Sequence, residues 1–85
     1  MAELMKEQKI AIADIYVPTK RRATLEPKKV EALAQDMLER GHQIAIMVRR
    51  DNDRFVLVEG LHRLEAWKSL GETTIKALLV QARRG

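Results

Sequence analysis

Phe55-Val56-Leu57-Val58-Glu59-Gly60-Leu61-His62-Arg63-Leu64-Glu65-Ala66 is the stretch on which the reading of this chain turns. Its first four residues are continuously apolar, a pattern that belongs to strands covered on both faces, so this strand is expected at the centre of a small sheet. Gly60 ends it. From Leu61 the apolar residues fall at Leu61, Leu64, Trp67 and Leu70, a helical spacing closed by Gly71. A strand that passes directly into a helix start makes a junction suited to anions: the first amides of the helix have no partner inside it, and the dipole there is positive. Gly60 removes the side chain that would block close approach of a phosphate. Arg63 adds a planar fork able to hold two phosphate oxygens, and His62 offers a ring NH whose donor count rises on protonation. The same residues also suit a purely structural turn, with His62 and Arg63 meeting solvent or a carboxylate such as Glu59.

Working outward, Ile44 to Arg50 and Arg54 to Glu59 flank Asp51-Asn52-Asp53, a turn-forming triplet, and read as two antiparallel strands. Upstream, Val30, Leu33, Ala34, Met37 and Leu38 follow the spacing of one helical face. Pro27 fits the first turn of that helix and Gly41 fits its left-handed C-terminal cap. Ile10 to Val17 alternates as a strand that Pro18 breaks, and Thr19 to Glu26 reads as a basic loop. Thr73 to Gln81 supplies a last strand. The expected order is strand, helix, strand, strand, helix, strand: an α+β fold, a small mixed sheet with two main helices. Residues 1–8 are expected to be a flexible N-terminus, 9–82 the domain, and 83–85 a basic end. No internal repeat or low-complexity tract is present.

The 85 residues carry 16 Lys plus Arg against 12 Asp plus Glu, a net charge of +4 that suits an anionic partner without requiring one. The absence of cysteine excludes a disulfide framework, a thiolate zinc site and a cysteine nucleophile, and two separated histidines do not make a metal cage. The charged start and the short apolar runs argue against a signal peptide or a membrane span, so the expected location is the cytoplasm. With three aromatics (Tyr16, Phe55, Trp67) the chain lacks the interleaved rings of a single-strand nucleic-acid platform. Met37 and Met47 read as core filler, and His42 is assigned no role. The densest basic cluster is Lys20-Arg21-Arg22, followed by Lys28 and Lys29; Arg49, Arg50 and Arg54 bracket the hairpin turn. Lys20, Arg49 and Arg50 are candidates for nucleic-acid contact, with a solvated surface as the alternative.

Taken in order, Ile12-Ala13-Asp14-Ile15-Tyr16-Val17-Pro18, Arg21-Arg22, Val30-Glu31-Ala32-Leu33-Ala34 with Gly41, Ile46-Met47-Val48-Arg49, and the segment from Leu57 to Ala66 resemble the N-terminal domain of the ParB and sulfiredoxin superfamily. The likeness spans about Lys9 to Gln81. Its most specific part is Gly-x-His-Arg-Leu-x-Ala between strand and helix. The resemblance implies a nucleotide-binding module for CTP or ATP, with Gly60, His62 and Arg63 as the phosphate motif and Arg22 or Arg21 as a loop arginine closing over it. Partition-type members bind and hydrolyse CTP and clamp on DNA. The implied cofactor is a nucleoside triphosphate with Mg²⁺. The implied partners are nucleotide, DNA or a DNA-bound protein, and a second copy of the chain as a homodimer. The alternative is an enzyme, a nuclease or an ADP- or ATP-dependent serine-type kinase, for which Glu59 and Glu65 are the nearest carboxylates. Kinase-type relatives are expected to keep a carboxylate in the early loop, where this chain has Thr-Lys-Arg-Arg. Leu61 stands where sulfiredoxins have their catalytic cysteine, which excludes that reductase chemistry. Ala45 replaces a proline of many relatives. The sequence shows no second nucleotide motif, helix-turn-helix or dimerisation segment, so autonomous recognition of a DNA site is not expected.

Overall fold

The computed structural model describes residues 6–41 and 44–80. Five strands, two substantial helices and one short one follow in the order β1 (Lys6–Ala11), a 3₁₀ turn (Ile12–Asp14), β2 (Ile15–Tyr16), α1 (Thr19–Arg22), α2 (Pro27–Arg40), β3 (Ile46–Asp51), β4 (Arg54–Glu59), α3 (Leu61–Ser69) and β5 (Thr74–Leu79). The sheet order is β1-β5-β3-β4-β2. β1 runs antiparallel to β5 and β3 antiparallel to β4, while β3 with β5 and β2 with β4 are parallel. The expected mixed α+β fold is thus formed.

The single strand expected over Ile10 to Val17 is instead two strands on opposite edges of the sheet. Alternation runs through Ile10 and Ile12, then changes phase to Ile15 and Val17, because the 3₁₀ turn intervenes; all four pack against the core. Ile12 N–H donates to Thr73 O at 2.9 Å and so ends the β1–β5 ladder. Four strand spacings of about 4.8 Å would separate the edges of a flat sheet by about 19 Å. The four Cα steps from Ala11 to Ile15 reach at most about 14 Å. The sheet must therefore curl, and the curl creates the concave face that holds the core. Residues 6–8, expected in the flexible N-terminus, belong to β1; residues 1–5 and 83–85 lie outside the described residues, as does His42.

The main core lies in the curl, where Ile10, Ile46, Val48, Leu57, Ile75 and Ala77 of the sheet meet Leu61 and Leu64 of α3. A second cluster joins Ala34 and Met37 of α2 to Ala66 of α3, and half-buried Trp67 packs on both. The layers are sheet, α3, α2. α2 begins at Pro27 and ends on Gly41, whose φ of 70° and N–H bond to Met37 O make the expected left-handed cap. Leu38, placed on the buried face by periodicity, is 67% exposed. The nine-residue α3 is too short to cover more than the stripe of Val30, Leu33, Ala34 and Met37.

The central strand is β3 rather than β4. β4 is still covered on both faces, with Val56 and Leu57 buried, but its outer neighbour is only the two-residue β2. Met47, read as core filler, is half-buried on the sheet face away from α3, in register with Leu78. Asn52, at φ 57°, and Asp53 form the tight hairpin connection. α3 ends with Gly71 at φ 84°, its amide bonded to Lys68 O and that of Glu72 to Trp67 O. That pair of bonds is a Schellman cap and releases the chain into β5. Among the described residues no helix is long and apolar enough to cross a membrane.

Candidate nucleotide-phosphate site

The site begins with an irregularity in the β3–β4 ladder. Val48 pairs with Leu57 and Met47 with Glu59, so Val58 is an extra residue that bends β4 just before Gly60. Gly60 then takes φ 109° and ψ 30° as the residue preceding α3. A Cβ there would lie 2.7 Å from Ile46 Cγ2 and 3.0 Å from Ile46 Cβ. Glycine is required twice, by the backbone angle and by the closeness of the central strand. Leu61 turns its side chain into the core, and Leu64 N–H donates to Gly60 O at 2.8 Å. The amides of Leu61, His62 and Arg63 donate to no protein acceptor among the described residues. They form the donor cup expected at a helix start.

The remaining elements converge on the same end of the sheet. Because β2 and β4 are parallel neighbours, the chain leaves both in the same direction, β2 into α1 and β4 into α3. In open sheets, ligands gather beyond the carboxyl ends of parallel strands for this reason. The segment expected to be a basic loop contains α1, a single helical turn made of Thr19, Lys20, Arg21 and Arg22, all exposed. Arg22 lines a cleft of about 400 Å³ together with Val17, Leu25, Leu64, Glu65 and Lys68. Arg21 is exposed, and its carbonyl accepts the Thr24 hydroxyl at 2.7 Å.

His62 and Arg63 are both half-buried, and their partners differ. Arg63 has no carboxylate within ion-pair distance among the described residues. His62 Nε2 accepts the backbone N–H of Glu26 at 3.0 Å. Glu26 is the residue that precedes α2, so the imidazole ties the start of α2 to the start of α3. Expected as a donor, His62 is an acceptor at this nitrogen. Glu26 had no signal in the sequence as its partner, since the two lie 36 residues apart.

Lys20, Arg49 and Arg50 are not brought together. Lys20 lies on α1, whereas Arg49 and Arg50 lie beside the hairpin turn, opposite Val56 and Phe55. Phe55 is five residues before Gly60, so that turn is about 17 Å along β4 from the donor cup. Arg50 sits 5.2 Å over the Phe55 ring, and Arg54 sits 4.3 Å over Tyr16 while pairing with Asp51 at 3.3 Å. Tyr16 is 40% exposed, and Phe55 and Trp67 are half-buried.

For a metal, the described residues hold no cluster of three His, Asp or Glu side chains. Glu59 is exposed beside the turn, and Glu65 lines the cleft while pairing with Lys68 at 3.3 Å. That donor set suits a Mg²⁺ ion held by one carboxylate with most of its ligands from phosphate and water. It does not make an all-protein site.

The family description of the ParB N-terminal domain matches residues 2–84, nearly the whole chain. The chain belongs to the ParB N-terminal domain family. No curated protein sequence matches it. Among solved structures, this ParB N-terminal-like domain is similar to sulfiredoxin from Arabidopsis thaliana at 25% identity and a TM-score of 0.78, over 91% of this chain and 86% of that one. It is also similar to the C-terminally truncated chromosome-partitioning protein ParB from Caulobacter crescentus complexed with CTP-gamma-S, at 22% identity and a TM-score of 0.76. That match covers 92% of this chain but 46% of the ParB chain, so the domain spans less than half of that protein. A free serine kinase in complex with ADP matches at 17% identity and a TM-score of 0.75, over 87% of this chain and 30% of the kinase. These likenesses establish the fold on which the site is built.

Proposed function

We propose that this ParB-like domain is a cytoplasmic nucleotide-binding module that holds phosphate at Gly60, His62 and Arg63 and acts with DNA or a DNA-bound partner. The observation that carries the reading is the cup of three amides at the start of α3 that have no acceptor among the described residues, next to an arginine with no carboxylate partner among them. α1 brings Arg22, and beside it Arg21, to the same end of the sheet. A nucleotide's phosphate oxygens supply what the cup lacks, and a guanidinium fork holds two of them at once. That structurally similar proteins are complexed with CTP-gamma-S or ADP supports nucleotide as the ligand class. Mg²⁺ would enter with the triphosphate, with Glu59 or Glu65 as its protein ligand. The enzyme reading, nuclease or kinase, requires in addition a positioned base. Among the described residues the geometry holds no carboxylate in that role, and binding is the function proposed.

The test is calorimetric titration of the protein with CTP, ATP and ADP, each with and without Mg²⁺ and with and without duplex DNA. At least one nucleotide is expected to bind, and Arg63→Ala to weaken that binding at least tenfold, the loss of a charge-assisted bond of about 1.5–3 kcal/mol. The fold should be unchanged, because Arg63 makes no ion pair or side-chain hydrogen bond within the described protein. Equal affinity of wild type and variant would remove the site from Arg63. Failure of all three nucleotides would remove the function.

A further inference from the structure

β1 is an edge strand: it pairs with β5 on one side, and among the described residues nothing pairs with its other side. Which of its amides face each way follows from one bond. Ile12 N–H donates to Thr73 O, one step beyond the last register pair of Ala11 with Thr74. In an antiparallel ladder bonded pairs recur every second residue, so Ile10, Gln8 and Lys6 exchange backbone bonds with Ile75, Ala77 and Leu79. The backbone N–H and C=O groups of Glu7 and Lys9 therefore point away from β5, toward the open edge. The bond from Val80 N–H to Val48 O agrees, because it turns the even-numbered amides of β5 toward β3 and leaves the odd-numbered ones for β1.

The side chains on this edge carry a charge pattern of their own. Lys9 stands opposite Lys76 in a pair that exchanges no backbone bonds, the arrangement that brings facing residues closest, at about 4.5 Å between Cα atoms. Like charges so placed repel. Glu7, on the same face of β1, reaches Lys76 at 3.9 Å, whereas Lys9 has no carboxylate within ion-pair distance among the described residues. Glu7, Gln8 and Lys9 are all exposed. We propose that β1 is an interface between two copies of this chain, which join edge to edge and antiparallel about a two-fold axis at Gln8, so that two five-stranded sheets run into one. In that register Glu7 of each copy faces Lys9 of the other. Both residues have outward amides, so each Glu7–Lys9 pair exchanges two backbone bonds, and the Glu7 carboxylate supplies the counter-charge that Lys9 lacks. On the opposite face Gln8 meets Gln8 of the second copy, and an amide side chain donates and accepts at once, so identical ones can pair. The outward amides allow the register to slip only in steps that move the axis to Glu7 or to Lys9. Either step sets a charged residue against itself. β5 and β3 stand between β1 and β4, so the inference rests on β1 alone and leaves the start of α3 open.

A contact of this length lies at the small end of protein interfaces, so the dimer is expected to form as concentration rises. The experiment is sedimentation equilibrium of the full chain over a concentration series, with hydrogen exchange of the Glu7 and Lys9 amides read by NMR at both ends of the series. The mass should climb toward twice that of the monomer, and both amides should exchange more slowly at the high end. Lys9→Glu and Glu7→Lys, each alone, oppose like charges at both pairs and should weaken association by about tenfold or more. The double variant restores opposite charges in the same register and should recover it, a rescue that a merely structural role of either residue would not produce. Should a single variant not fold, the other carries the comparison, and amide exchange in the wild type decides without either. A monomer at every concentration overturns the proposal. So does a dimer whose single variants associate as the wild type does, a double variant as weak as the singles, or Glu7 and Lys9 amides that exchange at one rate throughout the series.

Discussion

Replacing Gly60 by alanine separates two physical demands that meet at one residue. The first is the backbone angle: a Cβ at φ 109° is strained, and a left-handed conformation costs a non-glycine residue about 1–2 kcal/mol. The second is space, since the new methyl would sit 2.7 Å from Ile46 Cγ2, 3.0 Å from its Cβ and 3.3 Å from its Cα. Ile46 is 1% exposed in the central strand and has nowhere to retreat. Forced overpacking of this kind costs about 1–3 kcal/mol. Gly60→Ala should therefore lose about 2–5 kcal/mol. A domain of this size holds only about 4–13 kcal/mol in all. The control is Gly71→Ala, because Gly71 has φ 84° with nothing within 4 Å of a built Cβ and so carries the angle cost alone. Urea unfolding followed by far-UV circular dichroism and by Trp67 fluorescence measures both, and unchanged slopes license the comparison. Gly60→Ala must be the costlier by about 1–3 kcal/mol. A Gly60 variant no less stable than the Gly71 variant would refute the claim that α3 starts against the backbone of β3, and with it the placement of the donor cup.

The basic turn and the hairpin give two further tests. If DNA binds through α1, replacing Lys20, Arg21 and Arg22 together by alanine should weaken binding and reduce the slope of log affinity against log salt by up to about 2.7. Measuring fluorescence anisotropy across a salt series checks this, and an unchanged slope assigns DNA to another surface. Asn52→Val should destabilise the hairpin by about 1–2 kcal/mol, because a β-branched residue at φ 57° is strained whatever surrounds it. A shift in urea midpoint with unchanged nucleotide affinity is the expected pair of results.

The two longer helices, α2 and α3, were legible because their signals are local, whereas α1 was read as a loop. Pro27, the apolar stripe and Gly41 lie within one segment of chain, as do Leu61, Leu64 and Gly71, and in each set the glycine closes the helix's C-terminal end. The hairpin was legible for the same reason, through Asn52 and Asp53. The split of Ile10 to Val17 was harder, since one-residue alternation looks continuous until the inward set changes from Ile10 and Ile12 to Ile15 and Val17. That change of phase, with exposed Ala13 and Asp14 between, was the available signal. Partners in the sheet were not legible: β2 beside β4 and β1 beside β5 join segments far apart in sequence. For the site, Gly60 and Arg63 follow from local chemistry, whereas the service of His62 to Glu26 depends on how α2 packs across α3. No spacing rule records that.

The two arginines assigned to phosphate differ in how firmly the fold holds them. Arg63 sits between Leu61 and Leu64, which are 6% and 1% exposed and fix the first turn of α3 in the core. The three amides, which have no acceptor among the described residues, are therefore presented by a rigid element, and rigid donors lose little freedom when an anion arrives. Arg22 belongs to a four-residue turn with no buried side chain, attached through a two-residue ladder. Elements with so few buried contacts open at little cost. The preorganised half of the site should accordingly set whether phosphate binds at all. The α1 half can adjust to what extends beyond the phosphate, which is where nucleotides differ from one another and where a DNA-bound partner would have room to act.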